Sequence, residues 1–302
     1  MEFDVKELNF KYEAYGLKIH SEMSLPELMS VESDIADITI VWGKFELPQD
    51  QVLSDGFSYK VTKEAIYRFW DDIGKFKITN KSIIIDTNLS ADELILRTYI
   101  LGTVLATLLR LRGLFILHAS CVNLNGNAVC FSGFKGYGKS TTAMAFYKEG
   151  YHIVADDYVL IKVAADDIYF TYPGFPNLRL SFKSRELMGL NSEVSTLNSG
   201  KVDKTYVSAP ASFSTNKLPL KKIYILRRGK RSGILDLKTQ EAFLELVKNT
   251  FGIHMFSKLE LPNNFFECEK IVNNVNIAIL EIPDGIESLS NIIKKVEEDL
   301  GT

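Results

Sequence analysis

Gly133-Phe-Lys-Gly-Tyr-Gly-Lys139-Ser140-Thr141 carries glycines, a lysine and a hydroxyl at the spacing of a Walker A loop. Gly133, Gly136 and Gly138 allow positive φ and let the backbone approach an anion without a Cβ in the way. The turned backbone then aims several N–H groups at phosphate oxygens. Lys139 can reach terminal phosphates as a compact charge, and Ser140 offers its hydroxyl to Mg²⁺. Tyr137 and Thr141 complete the segment expected to touch a nucleotide. Ala128–Ser132 before the loop reads as a buried strand, and Thr141–Glu149 after it as a helix stopped by Gly150. Strand, loop and helix N-terminus bind phosphate through aligned amides and the helix dipole.

A second group of residues lies further on. His152-Ile-Val-Ala-Asp156-Asp157 reads as a short apolar strand ending in two carboxylates. Adjacent residues of an extended segment point to opposite sides, so one carboxylate could face a metal and the other an acceptor. Phosphoryl transfer from ATP needs both an anionic Mg²⁺ ligand and a carboxylate that accepts the attacking hydroxyl's proton. A third group comes from a hairpin. Asn125-Gly126 between two apolar runs predicts a two-residue type I′ turn. Its register sets Leu124 opposite Asn127, Cys121 opposite Cys130 and His118 opposite Gly133, which places the imidazole beside the phosphate loop.

The elements that must position these groups follow from pattern. Residues 2 to about 88 alternate apolar and polar side chains in short runs, which predicts a mostly antiparallel β-rich domain. Ser90 and Glu93 predict a capping box for an apolar helix that Gly113 ends. The helix of the phosphate loop is followed by strands near residues 159–163, 169–172, 222–227 and 275–282. Helices are expected near residues 184–188, 240–251, 263–273 and 287–300, and a mobile loop over residues 191–217. The predicted division is residues 1–90 and 91–302, the second an α/β domain.

Composition narrows the function classes. With 302 residues and 46% apolar side chains the chain can build a substantial core, and a net charge of −3 argues against a nucleic-acid partner. Three cysteines form no disulfide framework and suit a reducing cytoplasm. Residues 1–6 carry no signal-peptide core, and the apolar stretch from Thr98 to Leu109 is too short to span a bilayer. A cytoplasmic protein with no membrane partner is expected.

The run from His118 through Asp157 resembles the catalytic domain of HPr kinase/phosphorylase: a histidine on the first hairpin strand, the phosphate loop, and a strand closing in Ala-Asp-Asp. The resemblance implies a phosphoenolpyruvate-carboxykinase-like P-loop kinase core. It also implies ATP and Mg²⁺, with Lys139 on the phosphates and Ser140 and Asp157 at the metal. Asp156 would be the general base, with His118 beside it. After Asp157, Pro173-Gly-Phe-Pro-Asn-Leu-Arg-Leu180 replaces the segment that HPr kinases use. That stretch, with Lys201-Val-Asp-Lys204, is similar to the HPr-kinase-like group found with lasso-peptide biosynthesis. This implies a precursor peptide as partner, phosphorylated on its C-terminal serine, with Arg179 and Lys204 contacting phosphate or peptide carboxylate. HPr, or a free small-molecule hydroxyl, is the alternative acceptor; a nucleotide-sensing module would need the loop without the carboxylates. A homo-oligomer is left open.

Overall fold

The computed structural model describes residues 8–87, 92–164, 167–187, 189, 204–209, 212–256, 259, 264–283 and 288–301. The chain divides into two compact units, residues 1–114 with 252–263, and residues 115–251 with 264–302. The division falls after Leu114, whereas the expected boundary lay at residue 90.

Among its described residues the first unit holds nine short strands: β1 (Phe10–Ala14), β2 (Leu17–Ser21), β3 (Met29–Ser30), β4 (Ile38–Trp42), β5 (Ser54–Gly56), β6 (Tyr59–Val61), β7 (Ile66–Trp70), β8 (Gly74–Ile78) and β9 (Ser82–Asp86). They form one sheet in the order β3-β1-β2-β4-β9-β8-β7-β6-β5. Alternation buries Ile38 and Ile40 on β4, Phe76 and Ile78 on β8, and Ile83 and Ile85 on β9. The sheet is not wholly antiparallel, because β2–β4 and β4–β9 run parallel. Local alternation marks a strand but says nothing of the direction of its distant neighbour.

Helix α1 (Glu93–Tyr99) is capped by Asp92, whose carboxylate accepts from the Leu94 and Ile95 amides. This replaces the expected Ser90 cap; Ser90 itself lies outside the described residues. A π-helical turn at Ile100–Val104, with Gly102 off helical geometry, joins α1 to α2 (Leu105–Leu111). The whole run, 19 residues at mean hydropathy 1.6, is long and apolar enough to cross a bilayer, contrary to the shorter stretch read from sequence. It is 72% buried, the exposure of a core helix. A short α6 (Ile253–Phe256) also belongs to this unit.

The second unit is built on strands β10 (Phe115–Leu117), β11 (Ala119–Leu124), β12 (Asn127–Ser132), β13 (His152–Ala155), β14 (Val159–Val163), β15 (Tyr169–Tyr172), β18 (Leu218–Arg228), β19 (Gly233–Asp236) and β20 (Asn276–Ile282). Their order is β10-β14-β15-β18-β12-β11-β13, with β20 paired to β18 and β19 to β20. A separate ribbon pairs β16 (Asn177–Ser181) with β17 (Lys204–Ser208). Helices α3 (Lys139–Lys148), α4 (Phe182–Leu187), α5 (Thr239–Asn249), α7 (Asn264–Asn274) and α8 (Ser288–Leu300) complete the unit. The single strand expected over 114–124 is broken at His118, where the chain passes from pairing with β14 to pairing with β12. The expected loop over 191–217 contains β17, and β18 begins just after it at Leu218; residues 190–203 and 210–211 lie outside the described residues.

The two-sided alternation of the central strands divides the interior. Val122, Val129, Phe131, Tyr224 and Leu280 face α3 and α8. Cys121, Cys130, Ile223 and Ile277 face the opposite way, towards Leu246 of α5 and Ile271 of α7. The three cysteines form no disulfide and are wholly buried, and burial pushes the Cys130 thiol well above its usual range. They serve as small core residues.

Helix α8 repeats apolar residues at Leu289, Ile292, Ile293 and Val296, one helical stripe, and all four are in the core. Its polar edge is tied down by two tyrosines. Tyr151 donates to Glu297, and Tyr224 donates to Asp299 at 2.5 Å. The hydrogen bond to Glu297, with partial burial, pushes the Tyr151 phenol from 10.0 up to about 12. Because the phenol's pKa is higher folded than unfolded, its contribution to stability is complete below pH 10.0 and disappears as pH rises through about 12. Urea unfolding over that window should show stability falling with pH, and falling less steeply in Tyr151→Phe. Parallel slopes would mean that the phenol and Glu297 are not linked to folding.

Candidate active site

The loop expected to hold phosphate joins β12 to α3 and has the required backbone. Gly133, Gly136 and Gly138 have φ of 141°, 88° and 90°. Gly138 is the N-cap of α3, and its carbonyl accepts from Thr142 at 2.7 Å. At Gly133 a Cβ would also lie 2.9 Å from the Leu226 carbonyl, whereas at Gly136 and Gly138 the space is open. One glycine is demanded by packing as well as by φ; the other two by φ alone. Lys139 and Ser140 are both buried. The Lys139 ammonium bends back to the Gly133 carbonyl at 2.8 Å and the Phe134 carbonyl at 3.3 Å, bracing the loop from within. Thr141 turns its hydroxyl away to Ser184 of α4, at 3.0 Å. Tyr137 packs edge-on against Phe134.

Register shows what shares this end of the sheet. In the β11–β12 ladder Leu124 pairs with Asn127, Cys121 with Cys130 and Ala119 with Ser132. Asn125 and Gly126 both have positive φ, as a type I′ turn requires. Cys121 pairs in turn with Ala155 of β13, so Asp156 lies level with Ser120. The carboxyl ends of β12 and β13 and the amino end of β11 therefore meet on one edge. β12 and β13 are two strand spacings apart, about 10 Å between axes. The carboxyl end of β18, parallel to β12, joins them from the other side.

Asp156 is 7% exposed and its carboxylate is gripped on both sides. Ser120 donates from its hydroxyl to one oxygen at 2.5 Å, and the Arg179 backbone amide donates to the other at 2.6 Å. Asp157 does not continue the strand. Its φ of 63° turns the chain, and its carboxylate accepts from the Arg179 guanidinium at 3.0 Å. The two carboxylates thus converge on one arginine rather than pointing to opposite sides, because the left-handed residue cancels the strand alternation. Arg179 sits between Leu178 and Leu180, both packed in the core, so β16 holds it in place.

His118 is half-buried at the strand break. Its carbonyl accepts from the Ser132 hydroxyl at 2.9 Å and its amide donates to Asn249. Its ring stacks on Tyr158 with centroids 6.0 Å apart, and Tyr158 packs edge-on against Phe251. The histidine is therefore brought against the turn that carries Asp156 and Asp157. Lys204 opens β17 opposite Ser181, and its side chain lies outside the described residues. Sequence reasoning missed Ser120, although it lies two residues from His118. The Asn-Gly register with the Asp156 strand placed beside it would have found it.

No protein-family model matches the sequence, and no curated protein matches it. Among solved structures the chain is similar to the Hpr(Ser) kinase/phosphatase from Coxiella burnetii. The identity is 10% and the TM-score 0.36, over 62% of this chain and 99% of that one. At that distance the site stands on its own residues.

Gly133→Ala should lower stability by at least about 1–3 kcal/mol, the scale of a strained backbone residue. The loss should exceed that of Gly136→Ala, where only φ objects. Equal losses in chemical denaturation would remove the Leu226 carbonyl as the constraint.

Proposed function

We propose that this protein is an ATP-dependent, Mg²⁺-requiring phosphotransferase that acts on a serine hydroxyl of a peptide. The supporting observation is one sheet edge that joins a glycine loop at a helix N-terminus to a buried, doubly hydrogen-bonded carboxylate. Binding a nucleotide needs only the loop; Asp156 adds a proton acceptor. Each carboxylate oxygen can accept more than one hydrogen bond, so Ser120 and Arg179 leave capacity for an acceptor hydroxyl. The acceptor oxygen forms its bond to the γ-phosphorus while the bond to the β-phosphate oxygen breaks. Asp156 takes the acceptor proton and ADP leaves. Lys139 and the loop amides offset charge on the phosphates through this step.

The residues fit the groups invoked. The loop presents open space at Gly136 and Gly138, where phosphate oxygens would need it. No cluster of three His, Cys, Asp or Glu that could hold a metal occurs among the described residues. A nucleotide-borne Mg²⁺ does not need one, since it takes one or two protein ligands and completes its shell with phosphate and water. Ser140 and Asp157 would hold it, and when bound it supplies neutralising charge. Holding a metal at Asp157 would compete with Arg179, and the same guanidinium is suited to an acceptor's carboxylate or phosphate.

The peptide acceptor rests on the resemblance of the Pro173–Leu180 segment. A lasso-peptide precursor with a C-terminal serine is the acceptor it favours, in a cytoplasmic setting.

Lys139→Ala should abolish ATP turnover and weaken Mg-ATP binding by calorimetry. Asp156→Asn should cut transfer by ~10²–10⁴ with nucleotide affinity nearly kept, and Asp157→Asn should raise the Mg²⁺ requirement. Full activity in both aspartate variants would reduce the site to nucleotide binding. Mass spectrometry of serine peptides with a free or amidated C-terminus tests the acceptor. Transfer to HPr and to no peptide would overturn that part alone.

A further inference from the structure

The carboxyl end of β18 runs Arg227-Arg228-Gly229-Lys230-Arg231 into β19, four cations in five residues of a chain whose net charge is −3. Two are engaged. Arg227 pairs with Glu245 at 3.1 Å and faces Glu281 across the β18–β20 ladder. Arg228 reaches over the glycine loop and donates to the Gly136 carbonyl at 3.2 Å. That bond fixes where the turn lies, beside Gly136 of the loop. Lys230 and Arg231 follow within three residues of Arg228, about 11 Å of chain at most. Both are exposed, and neither has an ion-pair partner among the described residues. Lys135, exposed and likewise without such a partner, sits on the loop itself beside Gly136. Phe134, next to it, is 59% exposed.

We infer that this rim, Lys135 with Lys230 and Arg231, is the docking surface for an acidic segment of the peptide acceptor. The Arg228–Gly136 bond brings these cations to the edge of the glycine loop. Exposed charges at a rim steer and select a partner of opposite sign, and Phe134 adds an apolar contact. On the phosphotransfer reading, on which the choice of a peptide rests, the acceptor's acidic residues would flank its serine.

Fluorescence anisotropy with the full chain tests this directly. The probes are a labelled glutamate-rich serine peptide and its glutamine counterpart. The acidic peptide should bind about tenfold more tightly, and the difference should shrink between about 50 mM and about 500 mM salt as charges are screened. Lys230→Ala with Arg231→Ala should remove most of the difference while leaving Mg-ATP affinity unchanged. Equal binding of the two peptides, or no binding of either, overturns the inference. So does a double variant that loses Mg-ATP affinity and keeps the acidic peptide, since the turn would then serve the nucleotide. Binding without any transfer would count against the phosphotransfer reading and leave the docking surface standing.

Discussion

Two residues in left-handed conformation, Asn125 and Gly126, set the register on which the site depends. A type I′ turn matches the right-handed twist of its strands, so the β11–β12 pairing is fixed at its first rung. From that rung the ladder runs to Ala119 opposite Ser132, and through Cys121 to Ala155 of β13. A slip of one residue would turn Ser120 to the opposite face and bring Cys121 to the height of Asp156. It would also exchange the two apolar sets that meet α3 on one side and α5 on the other. Core and chemistry therefore hang on the same turn.

Asp156 shows how much that register supports. A carboxylate at this depth costs several kcal/mol unless it is paired or hydrogen-bonded. A hydrogen bond to a charged group contributes roughly 1.5–3 kcal/mol. Two such donors, one from Ser120 and one from the Arg179 amide, are of the size needed to offset the burial. Both donors come from elements anchored by core side chains, Val122 on β11 and Leu178 with Leu180 on β16. The carboxylate is held by the core, and its orientation is set by the fold itself.

What could be read from the sequence, and what could not, divides by range. The glycine loop, the helix after it and the hairpin register are local, and their residue types are dictated by φ or by turn geometry. The strand ending at Ala155 was legible for the same reason, being a short apolar run after a helix stop. The meeting of both carboxylates on Arg179 was not. It needs the left-handed φ of Asp157 and the lateral approach of β16, neither of which periodicity encodes. The ribbon of β16 and β17 was hidden for a further reason: its strands are separated by a polar segment whose composition reads as loop. The parallel pairing of β4 with β2 and β9 was equally beyond local pattern.

Charge is arranged with opposite needs on the two sides of the sheet edge. On the loop side Lys139 bonds to the Gly133 and Phe134 carbonyls, so a cation already satisfies the loop's inner oxygen atoms. On the carboxylate side the Arg179 guanidinium neutralises Asp157, and that pair is only partly exposed. The carboxylate side thus carries its own counter-charge, whereas the buried Lys139 ammonium is held by neutral carbonyl oxygens. A polyanion entering between them would draw both cations, Lys139 from its carbonyls and Arg179 from its carboxylate. Lys139 can leave neutral acceptors at modest cost. Arg179 cannot leave Asp157 without exposing a carboxylate that then needs another cation. On the proposed reading, a divalent metal held by Asp157 and the Arg179 guanidinium would be alternatives at the same carboxylate.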